Sequence, residues 1–92
     1  MAMVLVRANV AYPKEAVDRL KESESDMQNA GMKAASVTGL AEQRNILYVM
    51  FTWDSVSSAR SYWASSVGKS VLEKLNSVEE PEVLVLEQPV EL

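Results

Sequence analysis

A chain of 92 residues that is 48% hydrophobic has material for one domain with a modest core and not for two. Nine basic against thirteen acidic side chains leave a net charge of −4, which repels phosphate backbones and argues against nucleic acid as a partner. With no cysteine and no histidine, the chain holds no disulfide, no thiolate metal site, and no Ser-His-Asp, Cys-His or zincin-type arrangement.

Met3 to Ala11 alternates as a first strand, with Val4, Val6, Ala8 and Val10 on one face and Met3, Leu5, Arg7, Asn9 and Ala11 on the other. Arg7 and Asn9 interrupt this opening too early for a signal peptide. No stretch reaches the roughly 18 continuous apolar residues of a membrane span, so a cytoplasmic protein with no membrane partner is expected. Pro13 suits the first turn of a helix, in which Ala16, Leu20, Ser23, Met27 and Ala30 recur on one side, Val17 widens the stripe, and Gly31 is the stop. Lys33 to Leu40 is a weaker strand, suited to a sheet edge, with Gly39 at a bulge or turn. Ala41 to Asn45 form a polar connection.

The strongest strand, Ile46 to Trp53, is apolar both ways: Ile46, Tyr48 and Met50 point to one face, and Leu47, Val49, Phe51 and Trp53 to the other. Asp54 or Ser55 then caps a second helix carrying Val56, Ala59, Tyr62 or Trp63, Val67, Val71, Leu72 and Leu75. Gly68 is the expected dividing point of that helix, because glycine in a helix interior costs roughly 1 kcal/mol relative to alanine. Asn76 to Glu82, with Pro81, form the exit loop, Val83 to Leu86 a last short strand, and Pro89 disfavours its extension.

The order strand, helix, strand, strand, helix, strand predicts one α+β domain over residues 1–92: a ferredoxin-like βαββαβ fold with a four-stranded antiparallel sheet and helices on one face. Strands one, three and four then keep apolar side chains on the face that the helices do not reach. Leaving each large one wet forfeits roughly 1.5 to 3 kcal/mol relative to full burial, so a second copy is the expected cover and a homodimer the expected assembly.

Trp53, Tyr62 and Trp63 pair broad apolar surfaces with a polar handle, which suits either a core or a pocket for a small aromatic or polyketide-like molecule. Neither the acidic residues Glu22, Glu24 and Asp26 nor the three glycines have the spacing of a metal site or a phosphate loop, so no metal and no cofactor are expected.

The segment FTWDSVSSARSYWASSVGK resembles the signature of antibiotic biosynthesis monooxygenase-like domains, and the element order from Val4 to Leu86 resembles theirs as well. Trp53 and Asp54 match the end of the central strand, Ala59 the helix alanine and Ser65 the serine that follows. Tyr62 stands where those proteins commonly have histidine, and Val67 where a second histidine is often found. The resemblance implies a dimeric α+β barrel and a family containing cofactor-independent oxygenases of aromatic polyketides, haem-degrading enzymes and proteins of no assigned activity. A tyrosine, with an ordinary pKa of about 10, is a poor neutral-pH base, and the lack of histidine removes a common haem ligand.

Arg7 and Asn9 are polar on an otherwise apolar strand. They suit a phenolate, enolate or carboxylate and a carbonyl, while Arg7 equally suits an ion pair with Glu82 or Glu87 of a neighbouring strand or subunit. The expected ligand pocket therefore lies between the sheet and the second helix, lined by Arg7, Asn9, Tyr48, Tyr62 and Trp63. No residue is assigned a catalytic role. The alternative is a noncatalytic structural or interaction protein that dimerises through its sheet face.

Overall fold

The computed structural model describes residues 1–40, 43–88 and 90–92. Its elements are β1 (Ala2–Asn9), α1 (Pro13–Glu22), α2 (Glu24–Asn29), β2 (Met32–Leu40), β3 (Gln43–Trp53), α3 (Val56–Ala64), α4 (Ser66–Lys74) and β4 (Glu82–Leu86). The strands form one antiparallel sheet in the order β2-β3-β1-β4, which places the weakly apolar β2 at an edge as its composition predicts. Of the bulge or turn expected at Gly39, the strand shows a register shift between Gly39 and Leu40. Ala41 and Glu42 of the expected connection, and Pro89, lie outside the described residues. Gln43 to Asn45 extend β3 instead of forming a loop.

The pleat sorts the side chains. Ala2, Val4, Val6 and Ala8 of β1 are buried under the helices, whereas Met3, Leu5, Arg7 and Asn9 between them are only partly covered. β3 continues the pattern, since Val4 lies opposite Phe51 and Val6 opposite Val49. Ala16, Leu20 and Met27 from the first helical pair, and Ala59, Tyr62, Trp63, Val71 and Leu75 from the α3–α4 region, close this core. The chain is 19 Å thick in its thinnest direction, the depth of one sheet and one layer of helices. The second sheet face is left without a layer of its own.

Each expected helix is two. The first divides at Ser23, a buried residue whose N–H donates to the Leu20 carbonyl at 3.1 Å while its own carbonyl accepts from Met27 N–H at 3.1 Å. This tightened turn ends α1 and starts α2 without losing the apolar stripe, so periodicity alone does not reveal it. Gly31 does end α2, with φ of +122°. The turn is clasped to the β3–α3 connection: Asp54 N–H donates to the Gly31 carbonyl at 2.9 Å, and Trp53 Nε1 donates to the Ala30 carbonyl at 3.1 Å. Ser55 caps α3, its Oγ accepting from Ser58 N–H at 3.1 Å, and the Ser58 hydroxyl donates to the Asp54 carboxylate.

The second division corrects the expectation at Gly68. The break falls at Ser65, whose Oγ donates to the Tyr62 carbonyl at 2.5 Å and accepts from Gly68 N–H at 3.2 Å, so one hydroxyl closes α3 and opens α4. Gly68 sits in the first turn of α4 for lack of space: a Cβ there would overlap the Tyr62 carbonyl oxygen and lie 2.9 Å from Trp63 Cα. Helix propensity predicts that Gly68→Ala stabilises by about 1 kcal/mol, whereas this packing predicts a loss of roughly 1 to 3 kcal/mol. Urea denaturation of the variant decides between the two signs.

Candidate functional site

The register of β1 and β3 brings three of the expected site residues together on the open sheet face. Arg7 lies opposite Tyr48, and its Nε donates to the tyrosine hydroxyl at 3.3 Å. Asn9 lies opposite Ile46, and the two line a shallow depression at the end of the sheet with Gln43 and Asn45. The Asn9 backbone carbonyl accepts from Val78 N–H at 2.7 Å, which anchors the approach to β4.

Tyr62 and Trp63 are elsewhere. Both project from α3 against the opposite sheet face, where Trp63 lies 5.3 Å from Phe51 and Tyr62 lies 5.2 Å from Trp53, centroid to centroid. Tyr62 and Trp63 also meet edge to face at 5.2 Å. The expected single pocket of Arg7, Asn9, Tyr48, Tyr62 and Trp63 therefore does not form, because the sheet runs between its two halves. The reason is the pleat: Tyr48 points away from the face to which Phe51 and Trp53 hold α3.

A different concavity lies over the β2 edge. Ala35 and Val37 of β2 face the helices opposite Phe51 and Val49, yet both remain exposed. The result is a groove of about 400 Å³ with Val17, Leu20, Met27 and Met32 on its walls and Val49 and Phe51 in its floor. Lys21, Glu24, Gln28 and Lys33 also line it, with Gln28 Nε2 donating to Glu24 Oε1 at 3.3 Å. Sequence reasoning missed this site. Its signal is one mismatch, the small Ala35 on the inner face of the edge strand opposite the bulky Phe51 of the central strand.

The aromatic cluster carries two polar atoms without partners among the described residues: Tyr62 OH and Trp63 Nε1, both buried. Burial raises the Tyr62 pKa above its ordinary value, and the charge of Asp26 adds to this. Asp54 is shifted the other way, chiefly by the hydrogen bond from Ser58. Among the described residues no group of three or more acidic side chains is placed to hold a metal, and no helix is long and apolar enough to cross a membrane.

A phenol with a raised pKa holds its proton more tightly in the folded than in the unfolded state. Its contribution to stability is complete below the unfolded value and is lost as pH rises through the folded one. Tyr62→Phe removes both this alkaline loss and an unpaired buried hydroxyl, so the variant should be more stable by about 1 kcal/mol at neutral pH. Denaturation midpoints measured from neutral to alkaline pH should show the gap widening. A destabilised variant would instead reveal a hydrogen bond to the phenol.

No family model matches the chain. No curated protein sequence matches it either. Solved structures do. SnoaB, a cofactor-independent oxygenase from Streptomyces nogalater, aligns at a TM-score of 0.78 and 13% identity over 99% of this chain and 95% of that one. An antibiotic biosynthesis monooxygenase aligns at 0.70 and 10% identity over 98% of this chain and 100% of that one. A conserved protein from Methanosarcina mazei Go1 aligns at 0.65 and 17% identity over 96% and 92% of the two chains. Near-complete coverage in both directions means that the whole architecture is shared, and the chain has the ferredoxin-like α+β fold of the antibiotic biosynthesis monooxygenase-like proteins.

Proposed function

We propose that this chain is a small-molecule-binding homodimer of monooxygenase-like ancestry, whose ligand is an aromatic or polyketide-like compound held in the groove between α1–α2 and the β2–β3 edge. The groove carries the reading. Its volume of about 400 Å³ falls within the range of sites that enclose small organic molecules. Phe51 lies buried beneath the groove floor, and Met27 and Met32 on its walls have the flexibility to adapt to an occupant. Lys21, Lys33, Glu24, Gln28 and Ser36 are the polar groups available to orient a phenol or carbonyl.

The catalytic form of this reading is oxygenation without a cofactor, the activity that names SnoaB. Such chemistry needs a dry pocket, a cation to stabilise a substrate carbanion, and room for oxygen. The apolar walls and the two lysine ammonium groups are what this chain offers toward it. The second reading, a noncatalytic dimer, is favoured by the packing of Tyr62 and Trp63, which fill the core instead of facing a void. In both readings the partly covered Met3, Leu5 and Met50 and the exposed Leu84 and Leu86 form the dimer contact.

Titration with a fluorescent naphthol should show binding by the wild-type chain, and Ala35→Phe, which fills the groove, should weaken it at least about tenfold, or 1.4 kcal/mol. Undiminished affinity in that variant would move the site elsewhere. Oxygen uptake with electron-rich phenols separates the two forms: product marks the enzyme, whereas binding without uptake supports the noncatalytic dimer. Light scattering should give a dimer mass, and a stable monomer at micromolar concentration would remove the dimer from both readings.

A further inference from the structure

A charged side chain in the middle of an apolar sheet face costs free energy unless something pairs with it. Arg7 is such a residue. It follows Met3 and Leu5 on the open face of β1, and its register partners are Tyr48 on β3 and Glu82 on β4. Leu84 and Leu86, each 41% exposed, continue the apolar field along β4 on the side of Glu82.

Among the described residues, the one hydrogen bond of the Arg7 side chain is from Nε to Tyr48 OH, at 3.3 Å. The tyrosine fixes the guanidinium on the face and leaves its two terminal nitrogens for another acceptor. Glu82, its exposed register neighbour, is not hydrogen-bonded to it in the single chain.

The face therefore presents a cation and an anion side by side within an apolar patch. A two-fold dimer sets the same patch against itself, so a patch of two like charges repels its copy whereas this one is self-complementary. A two-fold axis running between β1 and β4 at this level sets each arginine opposite the other copy's glutamate. Such an axis lays β1 and β4 of one copy over β4 and β1 of the other, which puts the charged pairs at the centre of the contact.

We propose that Arg7 of each copy pairs with the partner's Glu82 across the sheet-to-sheet contact, and that these two reciprocal pairs, with Tyr48 positioning the arginine, fix the register of the dimer. The inference rests on the homodimer reading above. Association would bury the pair beside Leu5 and Leu84, and a slipped register would bury the same arginine unpaired, which is far costlier than the pair itself.

Reciprocal charge reversal tests this. R7E places two acids at the pair and E82R two bases, so each variant alone should dimerise at least about tenfold more weakly than wild type. Mixed in equal amounts, they should recover near wild-type affinity as a heterodimer, because each reversed charge then faces its opposite across the contact. Native mass spectrometry reads this directly as a heterodimer fraction above statistical proportion. Statistical mixing, with wild type dimeric, overturns the cross-subunit pair and leaves the dimer reading standing; a monomeric wild type overturns both. Should circular dichroism show that a reversal costs the fold, R7Q mixed with E82Q replaces it. That heterodimer keeps one of the two pairs while either homodimer keeps none, so it should again exceed statistical proportion, and failure to do so overturns the proposal.

Discussion

The alternation of side chains along β1 and β3 decides what the remaining elements do. Both strands are apolar in both directions, and the chain has helices for only one of their faces. Val4, Val6, Val49 and Phe51 receive those helices, and Met3, Leu5 and Met50 do not. The groove and the Arg7 face both follow from this asymmetry: the helix face is filled by aromatics except over the β2 edge, and the other face is an apolar field with Arg7 set into it.

Much of this was legible in the residues. The order of elements, the faces of β1 and β3 and the edge position of β2 follow from period and apolarity, and the stop at Gly31 from the dihedral freedom of glycine. The breaks at Ser23 and Ser65 were not, because a tightened turn and a shared cap leave the spacing of buried residues almost unchanged. Gly68 misled for a related reason. Propensity reads it as a weakness in a helix, whereas its value is in the close approach of the Tyr62 carbonyl, a contact between segments that no local rule contains.

The five-residue site failed for a more general reason. A shared pocket of Tyr62 and Trp63 with Arg7 conflicts with the faces of Tyr48 and Phe51, which put the sheet between them. The groove over β2 was hidden because a cavity is an absence: Ala35 and Val37 attract no notice until the heights of their neighbours are known. The signature positions named in the sequence have structural work here. Trp53 packs against Tyr62 in the core, Asp54 receives the Ser58 hydroxyl, and Ser65 joins two helices.

That joint at Ser65 bears on motion. Its hydroxyl serves the last turn of one helix and the first turn of the next, so displacement of this one side chain loosens both ends together. Breathing of this corner is therefore coupled, and the amides of both adjoining turns open to solvent in a single event instead of melting separately from their own ends.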